Sequence, residues 1–240
     1  LIVLLFGRKM PQLNKVLHGD IFAAAKLIRG LEDGVPEAVA ELKDIYRHTG
    51  KAYIVGIAGA PGAGKSTLLG CLIGAFRKRD MKVGVVAIDP TSPLSGGAIL
   101  GDRLRMQKHG EDKDVFIRSL ASRGWKGGLS RAAINTVHVM DAMGKDIIFV
   151  EAVGSGQGET DFARLADTSI LVLVPGMGDD IQTIKAGIME VADIFVVNKS
   201  DREGAEGLKT SLEAMLEMSP VKQEARSTKH EIRNADSLRH

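Results

Sequence analysis

Six short apolar runs, separated by longer intervals, dominate the chain from residue 51 onward. They read AYIVGIAG, KVGVVAID, DVFIRS, KDIIFVEA, SILVLVPG and DIFVVNKSD. Runs this continuous indicate strands that are buried on both faces, and most of the intervals are long enough for a helix. The alternation predicts an α/β fold, with a mainly parallel sheet covered by helices on both faces. Because ligands of such sheets bind beyond the carboxyl ends of the strands, we expect the chemistry just after each run.

The residues before the first run predict a short helical segment. The stretches DIFAAAKLIRGLEDG and PEAVAELKDIYRHTG carry apolar residues at helical spacing. Asp20 and Pro36 are suitable helix starts, and Gly50 is a suitable stop. After about Pro220 the sequence becomes polar and loses its periodicity. We therefore expect an N-terminal helical extension over 1–50, a sheet domain over 51–220 and a short polar tail over 221–240.

The composition narrows the class of protein. The chain has 240 residues and a net charge of +2, which is too small to argue for a nucleic-acid partner or a membrane surface. The first six residues, LIVLLF, are apolar, but no run approaches the roughly 18 residues that a membrane-spanning helix needs. The single cysteine, Cys71, suits a reducing compartment, and its position after a glycine-rich loop predicts an inert core thiol on a helix. We expect a cytoplasmic protein.

A glycine-rich loop, GAPGAGKST, follows the first run. It fits G-x-x-x-x-G-K-[ST] between a predicted strand and a predicted helix, which is the context that a phosphate-binding loop requires. Its glycines let backbone N–H groups point at phosphate oxygens, and the helix N-terminus adds a partial positive charge. We expect Lys65 to reach the β- and γ-phosphates and the Ser66 hydroxyl to bind Mg²⁺. The predicted phosphate-binding residues are Gly59, Ala60, Pro61, Gly62, Ala63, Gly64, Lys65, Ser66 and Thr67.

The last apolar run ends in an N-K-x-D pattern made by Asn198, Lys199 and Asp201. A carboxylate at Asp201 can accept hydrogen bonds from the N1–H and the 2-amino group of guanine, and adenine offers neither donor there. We expect Asn198 to contact the base edge and hold neighbouring loops, and the stem of Lys199 to stack on the ring. The two motifs together predict that the chain binds GTP and GDP.

Three acidic residues lie between the two motifs. Asp89 ends the second run, Asp102 lies in GGAILGDRLRM, and Glu151 ends the fourth run. Mg²⁺ prefers hard oxygen ligands in octahedral geometry, so one or more of these carboxylates should approach the metal directly or through water. Asp102 could instead cap a helix or be an ordinary solvated carboxylate with no role at the metal. Gly154, just after Glu151, fits a backbone donor to the γ-phosphate.

Two glycine-rich segments, GSGQGETDFARLAD and PGMGDDIQTIKAG, have the character of nucleotide-responsive switches. Within them, Gln157 could orient an attacking water, and Gln182 or Lys185 could stabilise charge in the transition state. For each residue taken singly, an ordinary loop position is the alternative.

The motifs together resemble those of the MeaB/ArgK/MMAA GTPases, which are P-loop GTPases related to HypB and to the signal-recognition-particle GTPases. The resemblance rests on GAPGAGKST, AIDPTSPLSGGAILGDRLRM, VEAVGSGQGET and VPGMGDDIQTIKAGIMEVADIFVVNKSD, and it covers about residues 15–220. It implies a G-protein chaperone that loads and protects an adenosylcobalamin-dependent methylmalonyl-CoA mutase or a related acyl-CoA mutase. It also places a third switch on residues 175–187, and the magnesium positions on Ser66, Asp89, Asp102 and Glu151.

The sequence departs from the family pattern at three places. Ala152 stands where the family usually has Thr, and Trp125 is an unusual bulky residue in ASRGWKGGLS. The tail from Val221 does not match the family's C-terminal part, which includes a dimerisation arm. We therefore expect the usual homodimer to be in doubt and the nucleotide affinity to be reduced.

Three other interpretations stay open. A HypB-like metal-insertion GTPase would need a cluster of His and Cys ligands, whereas the chain has one Cys and six His. An ATPase or kinase of lysine/arginine/ornithine transport would use ATP, against which the N-K-x-D pattern argues. A chain that binds nucleotide weakly and acts as a scaffold would be a non-enzymatic alternative.

Overall fold

The computed structural model describes residues 11–89, 109–121, 131–151, 165–176 and 192–218. Three helices come first: α1 (Pro11–Leu17), α2 (Ile21–Glu32) and α3 (Pro36–Ile45), followed by a 3₁₀ turn at Tyr46–His48. The strands are β1 (Tyr53–Gly59), β2 (Val83–Asp89), β3 (Val115–Ala121), β4 (Ile147–Glu151), β5 (Thr168–Leu173) and β6 (Ile194–Val197). Helices α4 (Lys65–Arg77), α5 (Arg131–Ala142) and α6 (Ala205–Met218) complete the described elements.

The six strands form one parallel sheet in the order β3-β2-β4-β1-β5-β6. Each of the six apolar runs overlaps one of these strands, so the predicted α/β fold with a parallel sheet is confirmed. Strand β1 lies between β4 and β5, and the chain leaves it toward β2 on one side and returns to β5 on the other. This reversal of direction opens a crevice at the carboxyl end of β1, where ligands of such sheets bind.

Alternate residues of the central strands enter two different cores, as the two-residue period of a strand requires. Val83, Val85 and Ala87 of β2 pack in the core that contains Leu69 and Ile73 of α4. Val86, from the same strand, enters the opposite core with α2, α3 and α5. The sheet therefore carries helices on both faces, and a third small core lies under α6.

The N-terminal helices share a core with the sheet. Helix α5 lies between them and the strands, and its Val137 and Met140 are fully buried in that core. Asp20 caps the start of α2, where its Oδ1 accepts the Ala23 N–H at 2.9 Å, as its position predicted. Pro36 begins α3 as predicted. The boundary at residue 50 stays a prediction.

A buried carboxylate fixes the connection between the N-terminal helices and β1. Asp141 of α5 is 2% exposed, and it accepts backbone N–H bonds from three consecutive residues. Gly50 donates to Oδ2 at 2.6 Å, while Lys51 and Ala52 donate to Oδ1 at 3.2 and 3.0 Å. These bonds compensate the cost of burying the charge.

Three other aspartates fasten the amino ends of the strands. Asp146, Asp167 and Asp193 directly precede β4, β5 and β6. Asp146 Oδ2 accepts the N–H of Lys82, the residue before β2, at 2.6 Å, and Asp167 Oδ2 and Asp193 Oδ2 accept from Ile54 of β1 and Ser169 of β5 at 2.8 Å. Each also donates its own N–H to the carbonyl of that same residue.

One expectation about burial is wrong. Cys71 lies on α4 as predicted, but it is exposed rather than in the core. It stands two residues from both Leu69 and Ile73, and two residues turn a helix by about 200°, so Cys71 faces away from the buried side. Val39 of α3 is 45% exposed, and that helix buries Ala38, Leu42 and Ile45. Among the described helices, none has the length and apolarity needed to cross a bilayer.

Candidate nucleotide-binding site

The loop between β1 and α4 has a backbone that requires glycine. Gly59, Gly62 and Gly64 all have positive φ, at +145°, +76° and +94°. A Cβ added to Gly59 would lie 2.3 Å from the carbonyl oxygen of Val172 in β5. The absence of a side chain therefore lets the loop begin directly against the neighbouring strand.

The curl of the loop ends on the first turn of α4. Gly64 precedes the helix in the left-handed conformation, and Leu68 N–H already donates to its carbonyl at 3.0 Å. The first N–H groups of a helix have no intrahelical acceptor, and the helix dipole adds positive potential there. The turn at residues 65–67 is therefore a site that favours an anion.

Lys65 lies folded back over the loop. The residue is 8% exposed, and its Nζ donates to the carbonyl oxygens of Gly59 at 2.9 Å and of Ala60 at 3.1 Å. This places a buried ammonium group at the mouth of the loop, where phosphate oxygens could replace the two carbonyls as acceptors.

Ser66 and Glu151 meet at the carboxyl edge of the sheet, although 85 residues separate them in the chain. The Ser66 hydroxyl donates to Glu151 Oε1 at 2.8 Å, and both residues are buried. A hydroxyl and a carboxylate provide the hard oxygen ligands that Mg²⁺ prefers. In nucleotide sites Mg²⁺ usually takes one or two ligands from the protein, and water and phosphate oxygens fill the other positions. The residues present therefore fit a magnesium ion.

Two residues of the N-K-x-D pattern are bonded to the glycine-rich loop. Asn198 follows β6 and donates its side-chain amide to the carbonyl of Ala63 at 2.7 Å. Lys199 donates its Nζ to the carbonyl of Gly62 at 2.8 Å and has a positive φ of +55°. The predicted role of Asn198 in holding a neighbouring loop has a direct counterpart in this contact.

Asp201 completes the pattern on the exposed loop before α6. Its exposure leaves the carboxylate accessible to a base, and the neighbouring Asn198 and Lys199 connect the same loop to the phosphate loop. The structure thus brings the predicted base-binding and phosphate-binding residues to one edge of the sheet. Their roles toward a nucleotide remain predictions.

Several predicted residues fall outside the described part of the chain. The backbone of Asp89 ends β2 at the same edge of the sheet, but its side chain is not described. Asp102, Gly154, Gln157, Gln182 and Lys185 all lie outside the described residues, as do the departures at Trp125 and Ala152.

Sequence reasoning missed the partners that come from β5. Leu173 accepts the Asn198 N–H at 2.8 Å, and Val172 provides the carbonyl against which Gly59 packs. Backbone carbonyls carry no sequence signal, so only the strand order could have identified them. Among the described residues, no group of three or more His, Cys, Asp and Glu side chains is arranged to hold a metal ion.

The fold and the glycine-rich loop are those of the P-loop nucleoside-triphosphatase class. The loop with its positive-φ glycines joins β1 to the first turn of α4, and the acid that ends β4 meets the first hydroxyl of that helix. Residues 24–237 match the family model described as methylmalonyl Co-A mutase-associated GTPase MeaB. The chain therefore belongs to the MeaB family of GTPases.

Individual relatives agree with that family. A protein of Pyrococcus horikoshii, provisionally named a GTPase, is 57% identical over 194 residues, which is 81% of this chain and 61% of the relative. GTPase ArgK of Escherichia coli is 44% identical over 67% of this chain and 48% of its own length. A crystal structure of an LAO/AO transport system kinase superposes with a TM-score of 0.70 at 28% identity, covering 89% of this chain and 65% of that one. The chain thus spans between about half and two thirds of the length of these relatives.

Proposed function

We propose that this chain is a magnesium-dependent GTPase of the cytoplasm that assists an adenosylcobalamin-dependent acyl-CoA mutase in loading and protecting its cofactor. The observation that carries the nucleotide part is the pair of bonds from Asn198 and Lys199 to Ala63 and Gly62. These bonds join the motif that we assign to guanine to the loop that we assign to the phosphates. The mutase is suggested by the family's own description.

The proposed roles follow from where each residue lies. The backbone N–H groups of the loop 59–67, in which Pro61 has none, and the ammonium of Lys65 bind the triphosphate and neutralise charge that develops on it. Asp201 selects guanine. Mg²⁺ would be held by Ser66 and by acids drawn from Asp89, Asp102 and Glu151, and it would supply positive charge to the triphosphate.

The hydrolytic step is an in-line attack of water on the γ-phosphorus. The bond from that phosphorus to the bridging oxygen of GDP breaks, and inorganic phosphate leaves with the oxygen of the water. We assign Gly154 to the γ-phosphate, Gln157 to the water, and Gln182 or Lys185 to the transition state. We expect slow intrinsic turnover that a partner accelerates by completing the site.

The first experiment measures phosphate release from GTP by the 240-residue chain, with ATP as the control nucleotide. Each reaction is run with and without purified methylmalonyl-CoA mutase that contains adenosylcobalamin. GTP-selective turnover that rises with the mutase supports both halves of the proposal. GTP turnover indifferent to the mutase contradicts the partner and leaves the GTPase standing.

ATP turnover equal to or faster than GTP turnover would contradict the assignment of Asp201. It would favour a kinase activity of the kind for which the LAO/AO transport system kinase is named. Tight GTP binding without hydrolysis in either condition would favour a scaffold role.

A further inference from the structure

A cleft of about 730 Å³ opens at the amino ends of β2, β3 and β4. It is bounded by the α1–α2 connection, by the residues that precede the three strands, and by the end of α5. Strand β2 is seven residues long, so at about 3.3 Å per residue the cleft lies roughly 20 Å from the carboxyl edge of the sheet. A ligand here would be separate from the nucleotide site.

The cleft has more basic than acidic side chains. Its walls include the four lysines Lys15, Lys82, Lys113 and Lys145, together with His18. No ion pair between described residues engages any of these four ammonium groups. A concave surface lined by charges of one sign concentrates ions of the opposite sign.

The two acids of the cleft already have partners. Asp20 caps α2 by accepting the N–H of Ala23 at 2.9 Å. Asp114 Oδ2 accepts from Arg77 Nη2 at 3.0 Å, and that arginine lies between Asp114 and Asp112. The four lysines of the cleft still outnumber its two carboxylates, so the cleft keeps a net positive charge.

One lysine is held inside the wall. Lys145 is 5% exposed, and the bond that its Nζ donates to the carbonyl of Asp114, at 2.9 Å, is its one side-chain hydrogen bond to a described residue. An ammonium group can donate three hydrogen bonds, so two donors remain for a ligand. A surface lysine would satisfy these donors with water, whereas a buried one gains more from an anion.

The rim offers a different chemistry. Phe22, in the first turn of α2, lines the cleft and is 88% exposed. An aromatic ring beside clustered lysines suits an anion that carries a planar or apolar group. The volume lies within the range of roughly 300–1,000 Å³ that is common for small-molecule sites.

We propose that this cleft binds a small soluble phosphate ester, with its phosphate on Lys82, Lys113 and Lys145 and its organic group along Phe22. A compact oxyanion can reach the buried Nζ of Lys145, whereas a protein surface would meet mainly the exposed lysines at the rim. The proposal does not rest on the GTPase activity.

The test uses pyridoxal 5′-phosphate, which combines a phosphate, a planar ring and an aldehyde. A neutral lysine amine condenses with the aldehyde to an imine and water, and borohydride then delivers hydride to fix the adduct. The full chain is treated with GDP and Mg²⁺ present to cover the phosphate loop, and labelled lysines are mapped by mass spectrometry. We expect labelling at Lys145 that inorganic phosphate suppresses and that pyridoxal, without the phosphate, does not reproduce.

Matched variants separate the cleft from general lysine reactivity. The double variant Lys82→Gln/Lys113→Gln removes two exposed charges of the cleft, and we expect labelling at Lys145 to fall about tenfold. Lys43→Gln/Lys209→Gln removes the same charge from exposed lysines outside the cleft and should leave labelling unchanged.

Labelling spread over exposed lysines, equal for pyridoxal and its phosphate, would overturn the proposal. So would protection by a polyglutamate peptide where inorganic phosphate gives none, because that result assigns the cleft to an acidic protein segment. Retention of the chain on phosphatidic acid vesicles through these lysines would assign it to a lipid headgroup and would also overturn a soluble ligand.

Discussion

The side-chain amide of Asn198 lies 2.7 Å from the carbonyl oxygen of Ala63, to which it donates a hydrogen bond. The two residues are 135 positions apart in the chain, one after β6 and the other in the loop after β1. Strand β5 separates these two strands in the sheet. The contact therefore crosses over β5 and joins the base motif to the phosphate loop.

Gly64→Ala should break this junction. The new Cβ would lie 2.3 Å from Asn198 Nδ2, at a residue whose φ is +94°. We expect a loss of about 1–3 kcal/mol in the free energy of unfolding, measured by denaturant titration, together with weaker nucleotide binding. Gly70→Ala is the control, because it makes the same substitution inside α4 with no atom within 4 Å of the new Cβ. That variant should gain roughly 0.5–1 kcal/mol. Equal stability of the two variants would contradict the prediction.

Asp201→Asn should change which base is preferred. The asparagine keeps one acceptor but turns an amide donor toward the position where guanine offers its own donors. We expect GTP affinity to fall about a hundredfold and xanthosine triphosphate to bind better than GTP, as measured by competition with a fluorescent nucleotide. Glu203→Gln alters an exposed carboxyl two residues later and should change neither affinity. Unchanged GTP affinity in the Asp201 variant would exclude this carboxylate as the guanine ligand.

Ser66→Ala should separate nucleotide binding from magnesium binding. The substitution removes a hydroxyl that lies 2.8 Å from Glu151 Oε1 and leaves the N–H groups of the loop in place. We expect the Mg²⁺ concentration that half-saturates GTP hydrolysis to rise about tenfold or more. Ser211→Ala, an exposed position on α6, serves as the control. An unshifted magnesium dependence would argue against Ser66 as a ligand.

Asp141→Asn should destabilise the fold without touching the site. The carboxylate accepts three backbone N–H bonds, and an amide would present a donor to at least one of them. We expect a loss of about 1–3 kcal/mol in the free energy of unfolding. Asp44→Asn removes a carboxylate whose ion-pair partner is the exposed Arg47 at 3.6 Å, and it should cost little. A loss no larger than that of the Asp44 variant would show that the three bonds contribute little.

Lys145 should make stability depend on alkaline pH. Burial lowers the pKa of Lys145 from 10.5 to about 8; nearby Asp114 and Asp112 oppose the shift, whereas Lys82 and Arg77 add to it. Between about pH 8 and 10.5 the unfolded chain therefore binds more protons than the folded one, and stability contributed by this group rises with pH. We expect the wild-type chain to gain stability relative to Lys145→Met over that interval, in paired thermal unfolding curves. Parallel curves would contradict the shift.

The sequence predicted more of the fold than of the contacts within the site. Six apolar runs predicted six strands because a strand buried on both faces leaves a continuous apolar signal. The phosphate loop was equally visible, since residues such as Gly59 and Gly64 adopt backbone conformations that other residues rarely take. The order of the strands has no comparable signal in the sequence. Because the contact between Asn198 and Ala63 depends on that order, the sequence could predict that Asn198 holds a neighbouring loop but not which residue it contacts.

Burial of single residues was harder to predict where the helical pattern is weak. Cys71 stands among apolar neighbours on α4, and only the angular position relative to Leu69 and Ile73 shows that it faces outward. Nothing in the sequence indicated that Asp141 is buried, because an aspartate in a helical segment can be buried or solvated. Its role depends on backbone N–H groups some 90 positions earlier in the chain, which no local pattern encodes.

The reciprocal bonds of Asp146, Asp167 and Asp193 should make the amino edge of the sheet more rigid than the carboxyl edge. At the amino edge, the strand that follows each aspartate is bonded to its neighbour by the carboxylate as well as by backbone hydrogen bonds. At the carboxyl edge, Lys65 bonds to loop carbonyls that phosphate oxygens could replace, and Lys199 bonds to a carbonyl of the same loop. The conformational change that follows a change of nucleotide should therefore pass between neighbouring loops along the carboxyl edge, while the amino edge stays in place.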